Sequence, residues 1–186
     1  MGVRAQVIGT RAIFLDRDGV LNEPVVRNGK PYPPDSVESM TISPGAGDAL
    51  TALKQLGFLL IVVSNQPDVG RGTRDVRDVE RLNAALATAL PLDAFFMCYH
   101  DDVDSCDCRK PRPGLLLRAA SQYGIELKTS FMIGDRWRDI AAGQAADCTT
   151  VWIDRGYAER LPDPPPAARV TSIKDAARWI VGRIQG

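Results

Sequence analysis

Five short apolar runs alternate along the chain with segments of helical periodicity, and this alternation leaves few folds open. The runs are Ala12 to Asp16, Phe58 to Ser64, Ala94 to Tyr99, Ser130 to Gly134 and Thr149 to Asp154, each of strand length. Between them, Gly45 to Leu56 places Ala49, Leu50, Leu53 and Leu56 at three- and four-residue steps. Thr73 to Leu90 repeats the pattern with Val76, Val79, Leu82, Leu86 and Leu90, and Thr73 is its expected cap. Leu115 to Tyr123, Trp137 to Ala146 and Ile173 to Ile184 supply three further helices. Strand followed by helix, repeated in this way, predicts an α/β, Rossmann-like doubly wound parallel sheet with helices on both faces. In such sheets ligands bind beyond the carboxyl ends of the strands. With 186 residues, 45% of them hydrophobic, the chain has the size of one domain spanning 1–186.

Charge and hydropathy remove several classes of partner. Lys+Arg and Asp+Glu number 23 each, so no general basic field exists to attract nucleic acid or an anionic membrane. No run approaches the roughly 18 apolar residues of a membrane span. The start, MGVRAQVIGTR, lacks the apolar centre of a secretory signal, so the cytoplasm is the expected location, and a monomer is the default expectation. Two segments are irregular. Glu23 to Pro44 carries five prolines and is read as a functional loop over the strand ends, and Leu161 to Arg169 as a stiff connector to the last helix and strand edge.

The unusual residues gather at strand ends. The first run ends in Asp16-Arg17-Asp18-Gly19. Residues two apart on an extended segment project to one side, so both acids can face a ligand there. Neighbouring carboxylates repel unless a cation separates them, which favours a hard divalent ion such as magnesium, a proton held by one acid, or both, although an Asp-Gly pair also fits a plain chain reversal. The second run ends in Ser64-Asn65-Gln66, hydroxyl and amide donors for phosphate-like oxygens. After the third run comes Cys108-Arg109-Lys110-Pro111, and the fourth ends in Asp135-Arg136 with Asp139 at a helix start, where an acid can simply complement the helix dipole.

The third run also opens a CxHx5CxC pattern, Cys98, His100, Cys106 and Cys108, that uses the single histidine and three of the four cysteines. Four such ligands suit a closed tetrahedral zinc site, structural rather than catalytic, whereas a disulfide would leave one cysteine over. Cys108 directly precedes Arg109 and Lys110, so an ordered metal loop would fix both cations. Asp101, Asp102, Asp104 and Asp107 read as a solvated rim, and Cys148 as a small buried residue.

Taken together, FLDRDGVLN, SNQ, CDCRKPRPG and GDRWRDI resemble the haloacid dehalogenase superfamily of phosphatases over nearly the whole sheet. The zinc pattern is similar to its branch without a large cap domain, which contains heptose-1,7-bisphosphate 7-phosphatases and histidinol-phosphate phosphatases. The resemblance implies that Asp16 attacks phosphorus and that Asp18 protonates the leaving alcohol and then activates water. It implies magnesium held by Asp16, the Asp18 carbonyl and Asp135, phosphoryl oxygens met by Ser64 and Lys110, and substrate contacts by Asn65, Gln66, Arg109 and Arg136. Ser64 stands where the branch usually has Thr, and Arg136 where Lys is expected. Arginine keeps the charge but presents a planar fork. The paired arginines favour a sugar bisphosphate, while histidinol phosphate, whose amine would seek a carboxylate, is the alternative. A non-catalytic phosphate-binding module is the reading from another class, although no catalytic position of the family has been lost.

Overall fold

A computed structural model describes residues 9–186, so the reading of residues 1–8 lies outside the described residues. Its centre is a six-stranded, wholly parallel sheet. The strands are β1 (Arg11–Leu15), β4 (Phe58–Asn65), β5 (Ala94–Cys98), β6 (Phe131–Gly134), β7 (Thr149–Ile153) and β8 (Ala168–Val170). They lie in the order β5-β4-β1-β6-β7-β8. Five of them match the apolar runs. The chain winds outward from β1 through β4 to β5, then crosses back to β6 on the other side of β1, which places the topological switch between β1 and β6. That is where an open α/β sheet leaves a crevice at its carboxyl edge.

Burial of both faces follows from the alternation of side chains along each strand. Ile13 and Leu15 of β1 join Leu60, Val62, Ile133 and Val151 in one core with α1 (Ala46–Gln55) and α6 (Ile173–Gln185). Ala12 and Phe14 point the other way, joining Ile61, Val63 and Met132 in a second core with α4 (Gly114–Tyr123) and α5 (Trp137–Ala145). Burying a Leu or Ile fully is worth about 1.5–3 kcal/mol. Two such layers hold the sheet rigid beneath the loops at its edge.

One local expectation is corrected and two are seen in finer detail. Helix α3 (Val76–Ala89) is capped by Asp75, whose side chain accepts from the Arg77 backbone, because the Thr73 hydroxyl instead donates to the Asp68 carbonyl. The segment Glu23 to Pro44 contains a hairpin of β2 (Val25–Arg27) and β3 (Lys30–Tyr32), turned by Asn28 and Gly29 at positive φ. The end of the proline-rich connector, from Ala168, pairs with β7 as the sheet's edge strand. A four-residue helix, α2 (Pro67–Gly70), follows β4. Among the described residues, no helix is long and apolar enough to cross a membrane.

Candidate active site

The carboxyl ends of β1, β4 and β6 and the loop after β5 surround a cavity of about 360 Å³. It is lined by Asp16, Asp18, Ser64, Asn65, Gln66, Arg109, Lys110 and Arg136, so eight of the residues named from sequence share one space. The Asp16 backbone N–H donates to the Ile133 carbonyl at 3.0 Å, extending the β1–β6 pairing by one residue. This brings Asp16 beside Asp135, and carboxylate oxygens of Asp16, Asp135 and Asp139 lie within 4.8 Å of one another.

Lys110 is the counter-charge at the floor. Its ammonium is 2.8 Å from Asp16 Oδ1 and 2.6 Å from Asp139 Oδ1, and it donates to the Val63 carbonyl at 2.8 Å. Burial works against its charge, but Asp139 and Asp16 more than offset that and hold it protonated. Asp139 thus does more than complement a helix dipole: it pairs with Lys110, and its other oxygen accepts from the Arg136 backbone N–H at 2.9 Å.

Three buried carboxylates against one ammonium leave an excess of negative charge that water cannot relieve. Burial, opposed by Lys110 and reinforced by Asp139, pushes Asp16 up to about 6. Asp135 is likewise raised by burial and by both neighbouring acids, against the Tyr157 hydroxyl, which donates to its Oδ2 at 2.7 Å. The buried Asp135 Oδ1 has no hydrogen-bond partner among the described residues. An unsatisfied oxygen among crowded acids is the donor set a hard divalent cation requires, so Asp16 and Asp135 fit magnesium. Gly19, at φ +86°, makes the approach possible, since a Cβ there would lie 1.8 Å from Asp135 Oδ2.

Asp18 is held differently. Its carboxylate accepts from Arg17 Nε and Nη2 at 3.2 and 2.9 Å, Asn22 Nδ2 at 3.0 Å and Gln66 Nε2 at 2.9 Å. Burial raises its pKa, yet Arg17 and these donors prevail and hold it below the usual carboxylate range. Arg17 is itself fully buried and reaches Asn83 Oδ1 at 3.2 Å, answering how two adjacent acids can end one strand. Gln66 Nε2 also donates to Ser64 Oγ at 3.1 Å. Asn65, expected at the substrate, engages its amide with the Lys110 main chain through two 3.0 Å hydrogen bonds, so here it fixes that lysine.

The loop after β5 gathers Cys98, His100, Cys106 and Cys108. The sulfur atoms stand 3.2–3.7 Å apart, and His100 Nδ1 is 3.6 and 3.2 Å from Cys98 and Cys108. Tetrahedral thiolate ligands about 2.3 Å from zinc would stand about 3.8 Å apart, so the four groups surround one position suited to that ion. The rim acids are not simply solvated. Asp101 pairs with Arg71 at 2.6 Å and Asp102 with Arg109 at 2.7 Å, tying the loop to the cavity wall.

Sequence reasoning missed Arg17, Asn22, Tyr157 and Arg138 as parts of this site. Tyr157 follows β7 on the same sheet edge, so the strand-end rule that located Asp16 could have located it too.

Known proteins resemble the chain over most of its length. The family described as "HAD-hyrolase-like" matches residues 107–176. The D-glycero-beta-D-manno-heptose-1,7-bisphosphate 7-phosphatase of Escherichia coli (strain K12) is 36% identical over 169 residues, 84% of this chain and 85% of that one. The protein of the same name from Helicobacter pylori (strain ATCC 700392 / 26695) is 37% identical over 139 residues, 72% of this chain and 77% of that one. The crystal structure of D,D-heptose 1,7-bisphosphate phosphatase from B. bronchiseptica, complexed with magnesium and phosphate, is similar with a TM-score of 0.80 and 26% identity, covering 94% of this chain and 99% of that one.

Proposed function

The chain belongs to the family of D-glycero-beta-D-manno-heptose-1,7-bisphosphate 7-phosphatases among the HAD-like hydrolases, and on that premise we propose how its site works. It is a magnesium-dependent phosphomonoesterase that removes the 7-phosphate of D-glycero-D-manno-heptose 1,7-bisphosphate through an aspartyl phosphate. It acts as a single-domain cytoplasmic monomer, with a structural zinc ion held by Cys98, His100, Cys106 and Cys108. The observation that carries the reading is the cavity floor, where Asp16 meets Lys110 and Asp135 while Arg109 and Arg136 line the same space.

Asp16 supplies the nucleophilic oxygen. It forms a bond to phosphorus as the ester P–O bond breaks, and the electron pair leaves with the sugar oxygen. That oxygen takes a proton from Asp18. Arg17 keeps Asp18 ionised in the free site, but a phosphoryl dianion beside it raises its proton affinity, so binding favours the acid form needed first. In the second half Asp18, again a carboxylate, takes a proton from water as its oxygen attacks phosphorus and frees Asp16. Lys110 and the Ser64 hydroxyl meet the transferring oxygens throughout, fixed by Asn65 and Gln66 respectively. Magnesium, held by Asp16, the Asp18 carbonyl and Asp135, would neutralise phosphoryl charge when bound.

Arg109 and Arg136 suit the far end of a substrate with a second anion. The test is phosphate release by the zinc-loaded protein with magnesium on both anomers of heptose 1,7-bisphosphate and on histidinol phosphate. A heptose bisphosphate is expected to be preferred. Preference for histidinol phosphate would overturn the substrate while keeping the chemistry, and no release from any of them would leave a phosphate-binding module.

A further inference from the structure

One wall of the cavity carries more positive charge than its own acids can pair. Arg109, Arg136 and Arg138 all line it. Arg136 is engaged with Glu159, Nε to Oε2 at 3.0 Å plus a second contact through Nη2. Arg109 Nε donates to Asp102 Oδ1 at 2.7 Å. Arg138 Nη1 approaches that same oxygen only to 3.6 Å, beyond hydrogen-bond distance, and makes no hydrogen bond among the described residues.

Arg138 lies in the first turn of α5 and is 30% exposed. Its guanidinium carbon sits 4.8 Å from the Trp137 ring centroid, a contact that holds the side chain without using its N–H groups. Trp137 does not depend on it for cover, since Arg160 lies 3.5 Å from the same ring. Across the cavity Arg71 is fully paired, 2.6 Å from Asp101 and 3.3 Å from Asp68. The unmet donors therefore face the cavity from the Arg138 side, and a planar fork of N–H groups fits phosphate oxygens.

We propose that Arg138 is a specificity-determining residue, the third arm with Arg109 and Arg136 of a cradle for the substrate phosphate that is not cleaved. This rests on the heptose bisphosphate reading and extends it to a residue to which the sequence alone assigns no role. Its neighbours support the assignment. Burial and the two adjacent arginines press on the Arg138 charge more than Asp102 and Glu159 support it, a balance that an incoming dianion would shift in favour of the charge.

The test compares wild type, Arg138→Gln and Arg138→Lys on heptose 1,7-bisphosphate and on heptose 7-phosphate. The readout is the ratio of the two kcat/KM values, which does not depend on how much of each preparation is folded. In Arg138→Gln the ratio is expected to fall about 10- to 100-fold, the scale of a charge-assisted phosphate contact, with partial recovery in Arg138→Lys. A ratio within twofold of wild type, in an enzyme that does prefer the bisphosphate, overturns the role of Arg138 and leaves the function standing. A wild type that does not prefer the bisphosphate overturns the substrate reading itself, and the cradle with it.

Discussion

Asp16→Asn is expected to lose phosphate release by a factor on the order of 10⁴ or more while folding normally. The amide matches the carboxylate in size but offers no anionic oxygen to phosphorus. The fold should not suffer. Burial and Asp139 press Asp16 toward its neutral form, and Lys110 keeps its ion pair with Asp139 and its bond to the Val63 carbonyl when the Asp16 charge is gone. Phosphate release with saturating magnesium, measured beside a thermal melt, checks both halves. Activity within a hundredfold of wild type would mean that another group attacks phosphorus.

Zinc removal is expected to produce the second-largest effect. Cys108 is buried and precedes Arg109 and Lys110 in the chain, while Asp101 and Asp102 of the same loop bind Arg71 and Arg109. Freeing the four ligands would let these cations drift from the positions the phosphoryl group needs, and shifts of about 1 Å can cost around 10²-fold. Protein stripped by a zinc-selective chelator, or carrying Cys108→Ser, should lose at least about tenfold in kcat with magnesium in excess and melt at a lower temperature, because structural metal binding is coupled to folding. Unchanged activity in protein shown by metal analysis to be zinc-free would mean that Asn65, Asp16, Asp139 and the Val63 carbonyl fix Lys110 without the metal.

What the sequence disclosed, and what it hid, divides by the range of the interaction. Strands β1, β4, β6 and β7 were legible because each is a continuous, mostly buried apolar run, and β5 because its run is equally apolar although, at the sheet edge, it is mostly half-buried. Asp16, Ser64, Lys110 and Asp135 were legible because polar residues follow such runs. Strand β8 was not, since three residues with an arginine between two apolar ones carry no pattern of their own and are made a strand by pairing with β7. The hairpin left one usable signal, the Asn28-Gly29 pair, whose positive φ values suit a two-residue turn, but its flanking strands are three residues each and one contains Pro31.

Long-range partners were the least accessible. Arg17 reads as a charge between two acids, and only the fold reveals that it is buried against Asn83, 66 residues away. Tyr157 and Asp135 are 22 residues apart and meet because β6 and β7 are neighbours. Arg138 belongs to an amphipathic helix whose start happens to face the cavity. No periodicity distinguishes it from Arg160 or Arg169, which stack on tryptophans outside that cavity.

The central claim is that Asp16 carries the phosphoryl group taken from a heptose bisphosphate. Its most direct test is to quench the zinc- and magnesium-loaded enzyme during turnover of heptose 1,7-bisphosphate, reduce any acyl phosphate with borohydride, and map the modified residue by peptide mass. Modification at Asp16, absent from Asp16→Asn, is the expected result. Modification elsewhere, or none in enzyme that is releasing phosphate, would contradict it.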